Sequence, residues 1–206
     1  MRPFTTLTAR ACPLPYANID TDQLIPARFM QRPRAQGYGP FLLHDVRRRP
    51  DGELDADHPL NAPAFAGAEI LVARRHFGGG SSREAAVYAL IDAGFRAVIA
   101  PSFGDIFSAS AVKNGLLTAV VEEVEAERLL AGLAAGEIGD CTIDLDAQSL
   151  VAGAAVYMFA IDPSGKQQLL NGWDDIDLTL REAPAIAAFH ARDALARPWA
   201  APRRRG

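Results

Sequence analysis

The chain has 206 residues, of which 49% are hydrophobic and 22% are charged, and its formal net charge at pH 7 is -4. This length and composition are typical of one globular domain with a sizeable core. The net negative charge argues against nucleic-acid binding, which depends on basic surfaces. No run of about 18 apolar residues and no apolar signal segment is found, so we expect a cytoplasmic protein that does not enter a membrane.

The residues that could ligate a metal are few and scattered. Cys12 and Cys141 lie far apart in the sequence, and the four histidines show neither HxH nor HxxxH spacing. Two isolated thiols are too few to hold a zinc ion or an iron-sulfur cluster. We therefore predict that this chain binds no metal of its own.

The first third of the chain has little regular periodicity. Within residues 1–30, Pro13, Pro15 and Pro26 favour loops and edge strands over a helix. Residues 31–65 are rich in Pro, Gly, Arg and Asp and predict a long surface excursion. Loops of that length are often functional or mobile, so residues 31–40 are a candidate flap over a site.

From residue 68 the pattern alternates between strands and helices. The predicted segments are, in order, a strand in AEILVARRHF, a helix in SREAAVYALIDAGF, a strand in AVIAP, a helix in DIFSASAVKNG and a strand in LLTAVV. The helices end at Gly94 and Gly115, where a glycine stop is common. This alternation predicts parallel strands with right-handed crossovers.

The rest of the sequence predicts a region rich in β-strands, followed by helices near the C-terminus. A helix is expected in EAERLLAGLAAG, and two or three antiparallel strands are expected in residues 141–162. Residues 174–195 predict a pair of short helices broken at Pro184. The sequence thus indicates one mixed α/β domain over residues 1–195, followed by a disordered tail over residues 196–206.

The stretch FGGGSSREAA, residues 77–86, lies between a predicted strand and a predicted helix. Ser81 and Glu84 have the spacing of a capping box, which satisfies free amides at a helix start. That motif does not require three successive glycines, each of which costs roughly 1 kcal/mol of ordering relative to alanine. Glycines let backbone amides approach a ligand, and a helix start attracts anions, which suits Arg83 beside it. We favour a carboxylate or phosphate site over a purely structural cap.

Nucleotide-binding and hydrolase motifs do not match this stretch. A Walker loop needs a lysine, and the dinucleotide fingerprint needs glycine at position 83, which is arginine here. Neither serine has the flanking glycines of a GxSxG nucleophile elbow.

Three segments together resemble the family of 3-isopropylmalate dehydratase small subunits in the aconitase superfamily. They are NIDTDQLIPARF (18–29), FGGGSSREAAVYALIDAGFRAVIAPSFGDIF (77–107) and GWDDIDLTL (172–180). The resemblance implies a swivelling β/β/α three-layer domain with a mixed parallel and antiparallel sheet. It also implies a hydro-lyase subunit of leucine biosynthesis that closes over a [4Fe-4S] cluster held by a separate large subunit.

The resemblance also implies roles for individual residues. Ser81 matches the serine that acts, as an alkoxide, as the base that removes a proton next to a substrate carboxylate. Ser82, Arg83 and Gly80 match the groups that bind that dicarboxylate. Asp22 matches the aspartate of the first motif and is expected to orient groups across the cleft.

Arg28 is expected to supply a second contact with a substrate carboxylate. The resemblance also extends to the flap. Where the family tends to show VTRTGF, this chain has Pro33 and a specificity loop of Arg34, Ala35, Gln36, Gly37 and Tyr38. Gly79 stands where the family usually has Cys or Thr, and Ala85 stands where it usually has His. These departures leave open a paralogue that acts on another substituted malate such as citramalate, or a non-catalytic interaction subunit.

Overall fold

The computed structural model of the chain describes residues 1–200. Within them, seven strands form one sheet, together with seven α-helices. The strands are β1 (Thr6–Leu14), β2 (Ile70–Ala73), β3 (Ala97–Ala100), β4 (Leu117–Val120), β5 (Asp140–Asp144), β6 (Ser149–Ala152) and β7 (Ala155–Met158). The helices are α1 (Thr21–Leu24), α2 (Glu84–Asp92), α3 (Asp105–Lys113), α4 (Glu123–Ala134), α5 (Pro163–Asn171), α6 (Asp175–Arg181) and α7 (Ala183–Ala196). The predicted mixed α/β class is confirmed.

The sheet has a parallel half and an antiparallel half that meet at β1. The strand order is β4-β3-β2-β1-β5-β6-β7. Strands β1 to β4 pair in parallel, and β5 to β7 continue from β1 in antiparallel fashion. Ala160, just after β7, pairs with Val120 of β4, so the sheet curls until its two outer strands meet.

Strand β1 lies at the centre of the sheet, so the prediction of loops and edge strands for residues 1–30 is wrong here. β5 pairs with β1 over Thr6–Arg10 only, and Pro13 lies beyond that pairing, opposite Val72 of β2. Proline is excluded from strands that need its missing N–H. Pro13 is tolerated because β1 has no β5 partner at that position.

Two apolar cores lie on opposite faces of the parallel strands. The first lies between the two halves of the sheet and helix α4, and it includes Ile70, Ile143 and Leu129. The second lies between the parallel half and helices α2 and α3 and includes Leu71 and Leu90. Alternate residues of each strand thus enter different cores. The layers are antiparallel strands, parallel strands and helices, as the predicted β/β/α arrangement requires.

A short helix interrupts the N-terminal segment where the prolines predicted none. The Asp20 carboxylate accepts a hydrogen bond from the Gln23 amide, and the Gln23 side chain accepts one from the Asp20 amide. This reciprocal capping box stabilises the first turn of α1. The helix ends before Pro26, which therefore does not disturb it.

Residues 31–65 contain no long helix or strand, as predicted. Their regular structure consists of four single turns of 3-10 helix at Arg34–Gln36, Gly39–Phe41, Pro59–Asn61 and Pro63–Phe65. The segment is not wholly a surface excursion, because Leu42, Leu43 and His58 are buried. Its mobility stays a prediction.

Helix α5 is not among the predicted elements. The Asp162 carboxylate accepts from the amide of Gly165, Pro163 lies in the first turn, and Gly172 ends the helix with φ 70. These are ordinary start and stop signals.

The predicted pair of C-terminal helices is confirmed as α6 and α7. Pro184 lies in the first turn of α7, where it does not interrupt the hydrogen bonding. Neither helix buries a residue, and we call residues 175–200 the C-terminal arm. Of the predicted disordered tail, residues 196–206, Ala196 is the last residue of α7, and residues 201–206 lie outside the described residues. None of the helices within residues 1–200 has the length and apolar character of a membrane span.

Candidate active site

The glycine-serine stretch forms a turn between β2 and α2, and we call residues 78–83 the serine turn. Helix α2 begins at Glu84, and its N-cap is Arg83, which makes no side-chain capping hydrogen bond. The capping box that Ser81 and Glu84 could have formed is therefore absent from the described structure. The helix starts too late for Ser81 to serve as its cap.

Two of the three glycines in the turn are required by geometry. Gly78 has φ 71, and a Cβ there would lie 2.2 Å from Cγ of Phe107. Gly80 has φ 85, in the left-handed region that other residues rarely adopt. A Cβ at Gly79, by contrast, would have the carbonyl oxygen of His76 as its nearest neighbour, at 3.8 Å. A β-carbon would therefore fit at position 79.

Thr21 of α1 fixes the orientation of the turn. Its amide donates to the Gly79 carbonyl at 3.0 Å, and its hydroxyl donates to the Ser81 carbonyl at 2.7 Å. In a trans peptide the carbonyl and the following N–H point in opposite directions. The amides of Gly80 and Ser82 therefore point away from α1.

The serine turn borders a cavity of about 190 Å³. Its lining consists of Thr21, Gly78, Gly79, Gly80, Ser81, Ser82, Arg83, Glu84, Gly104, Asp105, Ile106, Phe107 and Ser110. Helices α2 and α3 both begin at this cavity, and the positive ends of helix dipoles attract anions. Ser81 and Ser82 are exposed, and neither hydroxyl has a hydrogen-bond partner within residues 1–200. Both remain available to a ligand.

Arg83 is held in place and keeps a free donor. Its Nη2 forms an ion pair with Oδ1 of Asp22 at 2.6 Å. Its Nη1 is buried and has no partner among the described residues. An unpaired buried guanidinium N–H is costly unless a ligand accepts from it. The structure thus brings together Ser81, Ser82, Arg83 and Asp22, and their roles stay predictions.

Arg28 lies outside the lining of this cavity. Its guanidinium forms two hydrogen bonds with Asp45, one of them 2.8 Å long, and stacks on Phe29 at 4.5 Å from the ring centroid. The hydrogen bonds from Arg28 and then from His44 lower the pKa of Asp45 to about 2. The charge of Arg28 is already matched in this structure, and its predicted contact with substrate stays a prediction.

The predicted specificity loop also lies outside the cavity lining, and we call residues 31–41 the anchored loop. Its Arg34 donates to both oxygens of Asp92, at 2.7 and 3.0 Å, and stacks on Tyr88 of α2. The Tyr38 amide donates to the same carboxylate at 2.7 Å. The Tyr38 side chain is buried, whereas Ala35 and Gln36 are exposed. The role of this loop in specificity stays a prediction.

Sequence reasoning missed three residues at the cavity. Thr21 was part of a quoted motif but received no role, and its contact with Ser81 joins positions 60 residues apart. Asp105 lies in the first turn of α3 at the cavity wall. A Cβ at Gly104 would lie 2.5 Å from the Gly78 carbonyl oxygen, so that glycine allows the two loops to touch. The APSFGDIF segment was the available signal for the last two.

No group of three or more His, Cys, Asp or Glu side chains within residues 1–200 could hold a metal ion. Cys12 and Cys141 are both buried and belong to different cores. Burial raises the pKa of the Cys12 thiol to about 12 and that of Cys141 to about 11. Because thiolates are the form that binds metals, these two residues do not fit an iron-sulfur cluster.

Models of two protein domain families match this chain. Residues 1–124 match the Aconitase C-terminal domain, which covers more than half of the chain and includes the serine turn. Residues 175–203 match the C-terminal domain of the 3-isopropylmalate dehydratase small subunit. The second match coincides with the C-terminal arm.

Individual proteins match over nearly the whole length. The 3-isopropylmalate dehydratase small subunit of Jannaschia sp. (strain CCS1) is 44% identical over 200 residues, which cover 97% of this chain and 100% of the relative. That of Teredinibacter turnerae is 41% identical over 208 residues, 97% of each chain. The crystal structure of 3-isopropylmalate dehydratase from Methanocaldococcus jannaschii has a TM-score of 0.62 at 24% identity, covering 90% of this chain and 99% of that one. The structural likeness shows a shared fold.

Proposed function

This chain belongs to the family of 3-isopropylmalate dehydratase small subunits, and we propose below how its residues act. The enzyme of which it is a subunit is a hydro-lyase of the aconitase superfamily in leucine biosynthesis. With a large subunit, it isomerises 2-isopropylmalate to 3-isopropylmalate by dehydration and rehydration. The observation that carries this proposal is the serine turn beside a cavity at two helix starts, where two hydroxyls and Nη1 of Arg83 have no partner among residues 1–200.

Ser81 is the proposed base. During dehydration its alkoxide takes the proton from the carbon next to a substrate carboxylate, and the resulting hydroxyl returns that proton during rehydration. A serine hydroxyl has a pKa far above neutral, so the alkoxide needs nearby positive potential. The helix starts, the amides of Gly80 and Ser82, and Arg83 provide it.

Arg83 and Ser82 are the proposed carboxylate ligands. A guanidinium can donate hydrogen bonds to a carboxylate, and Nη1 of Arg83 is a donor with no partner in the described part of the chain. Asp22 holds the other side of the guanidinium and so orients it toward the cavity. A fixed arginine loses less conformational entropy when the substrate binds.

We assign the [4Fe-4S] cluster to the large subunit, because the side chains of residues 1–200 do not fit one. When bound there, the cluster would supply Lewis-acid chemistry at the substrate hydroxyl. The contribution of this chain is restricted to moving the proton and holding carboxylate.

The C-terminal arm supports assembly with another protein. It exposes six large apolar side chains: Ile176, Leu180, Ile186, Phe189, Leu195 and Trp199. An apolar surface of this kind is typical of a protein interface. We propose that it packs against the large subunit, and that the assembled enzyme works in the cytoplasm.

The experiment compares two adjacent serines in the complex reconstituted with its large subunit under anaerobic conditions. Ser81→Ala is expected to lower kcat by about 1,000-fold or more, because it removes the base. Ser82→Ala is expected mainly to raise KM, because it removes a binding group. Size-exclusion chromatography checks that both variants assemble.

Normal turnover by Ser81→Ala would show that Ser81 is not the base. Turnover by the unaltered complex on citramalate in preference to 2-isopropylmalate would support the paralogue with another substrate. No turnover on any substituted malate, despite assembly, would support the non-catalytic interaction subunit.

A further inference from the structure

We propose that Thr21 is a positioning residue for Ser81, acting through the backbone of the serine turn. The proposal rests on the proposed function of Ser81 and adds a residue to it. Thr21 reaches the turn from α1, a separate element, and is only 2% exposed.

Thr21 binds the turn at two carbonyls, those of Gly79 and Ser81, the residues on either side of Gly80. Its amide donates to the Gly79 carbonyl at 3.0 Å and its hydroxyl donates to the Ser81 carbonyl at 2.7 Å. The capping box of Asp20 and Gln23 fixes the start of α1, so both donors come from a rigid element. A substitution of Thr21 can remove the hydrogen bond from its hydroxyl to the Ser81 carbonyl and leave the hydrogen bond from its amide in place.

The bond to Ser81 orients the peptide that joins Ser81 to Ser82. With the carbonyl turned to Thr21, the N–H of Ser82 points the opposite way and is free to stabilise negative charge. Glycine at position 80 allows this orientation but does not impose it, because its backbone is permissive. The Thr21 hydroxyl therefore selects the conformation in which the Ser81 alkoxide is stabilised.

A residue that only stabilised the fold would behave differently when replaced. Thr21→Val keeps the shape and removes the hydroxyl, whereas Thr21→Ser keeps the hydroxyl and removes a methyl group. If positioning is the role, the Val variant loses kcat and the Ser variant keeps it. A structural role alone would make both variants less stable without separating kcat from KM.

Thr118 offers a matched control. It is also 2% exposed, and its hydroxyl is hydrogen bonded to that of Ser108 at 2.8 Å. It lies on β4 and does not line the cavity. Thr118→Val therefore removes a comparable buried hydroxyl away from the serine turn.

The variants are assayed in the reconstituted complex with 2-isopropylmalate, and urea unfolding of each is measured in parallel. Thr21→Val is expected to lower kcat by about 10- to 100-fold with KM changed less than about threefold. Thr21→Ser is expected to stay within about threefold of the unaltered enzyme in kcat, and so is Thr118→Val. If Thr21→Val does not fold, Thr21→Ala is compared with Thr21→Ser, and the same ratio of kcat is expected.

Unchanged kcat in Thr21→Val, or equal losses in the Val and Ser variants, would overturn the role of Thr21. Either result could occur while Ser81→Ala is inactive, in which case the proposed function stands. Full activity of Ser81→Ala would instead overturn the proposed function, and the role of Thr21 with it.

Discussion

Helix α2 has a different kind of segment at each end. The serine turn precedes it and leaves two hydroxyls and one guanidinium N–H without partners among the described residues. The anchored loop contacts its last turn, where the Asp92 carboxylate accepts three hydrogen bonds. Both segments contain an arginine near a carboxylate. Buried polar groups are normally paired, so the buried, unpaired Nη1 of Arg83 marks the place for a ligand, with the two exposed hydroxyls beside it, whereas the paired set marks scaffold.

The two arginines illustrate the difference. Arg34 has both terminal nitrogens bonded to Asp92 and lies over an aromatic ring. Arg83 has one terminal nitrogen bonded to Asp22 and the other buried without a partner among residues 1–200. Of the two, Arg83 is the one that can bind a new carboxylate without first breaking an ion pair.

The largest expected effect concerns the glycines of the serine turn. Gly78→Ala would place a Cβ 2.2 Å from Cγ of Phe107 at a φ of 71. We expect it to lower the free energy of unfolding by about 3 kcal/mol, from left-handed strain and overpacking together. Gly79→Ala meets no atom closer than 3.8 Å and should raise that free energy by about 0.5 kcal/mol. Urea unfolding of both variants measures the difference, and equal effects would show that the turn has another conformation.

Removing the carboxylate that holds the anchored loop should have a smaller effect. Asp92→Ala deletes the acceptor of the Tyr38 amide and of the Arg34 guanidinium. We expect a loss of about 1.5 kcal/mol in the free energy of unfolding, since the solvent can compensate for part of the pairing. Hydrogen exchange of the Tyr38 amide should become about tenfold faster or more. Glu127→Gln, which weakens the exposed Arg74–Glu127 pair, is the control and should leave that amide unchanged. An unaffected Tyr38 amide in Asp92→Ala would contradict the anchoring.

The smallest expected effect is a pH dependence in residues 31–65. Burial, and secondarily the positive charge of Arg47, lowers the pKa of His58 below its usual value of 6.5, while Asp55 opposes the shift. A histidine that is harder to protonate in the folded state stabilises the fold above pH 6.5, and the contribution is lost as the pH falls. We expect the free energy of unfolding to decrease by about 1 kcal/mol between pH 7.5 and 5.5. His58→Phe should remove most of that decrease, and an unchanged pH dependence in urea unfolding would show that another group is responsible.

Elements with local signals could be predicted from the sequence. Strands β2 to β4 are short apolar runs, and helices α2 and α3 have helical spacing and end at glycines. The alternation of these strands and helices predicted both the order of the elements and the parallel pairing of the strands. The serine turn was identifiable because three glycines, two serines and an arginine exceed what a helix cap needs.

Features that depend on distant contacts could not be predicted. The proline pattern of β1 indicates an edge, and only the short length of β5 explains a central position for Pro13. Helix α2 starts at Glu84, and Thr21 contacts the turn before it from 60 residues away, which a local capping pattern does not reveal. Likewise, Asp92 and Arg34 are far apart in the chain, so their pairing required the fold.

In the proposed mechanism, the Ser81 hydroxyl faces the substrate proton within a turn that binds carboxylate. A structure of the assembled enzyme with 2-isopropylmalate or 3-isopropylmalate bound tests it most directly. We expect Oγ of Ser81 within about 3.5 Å of the carbon that loses its proton, with a substrate carboxylate on Nη1 of Arg83. A substrate bound elsewhere, with Oγ of Ser81 hydrogen bonded to its own backbone, would contradict the account.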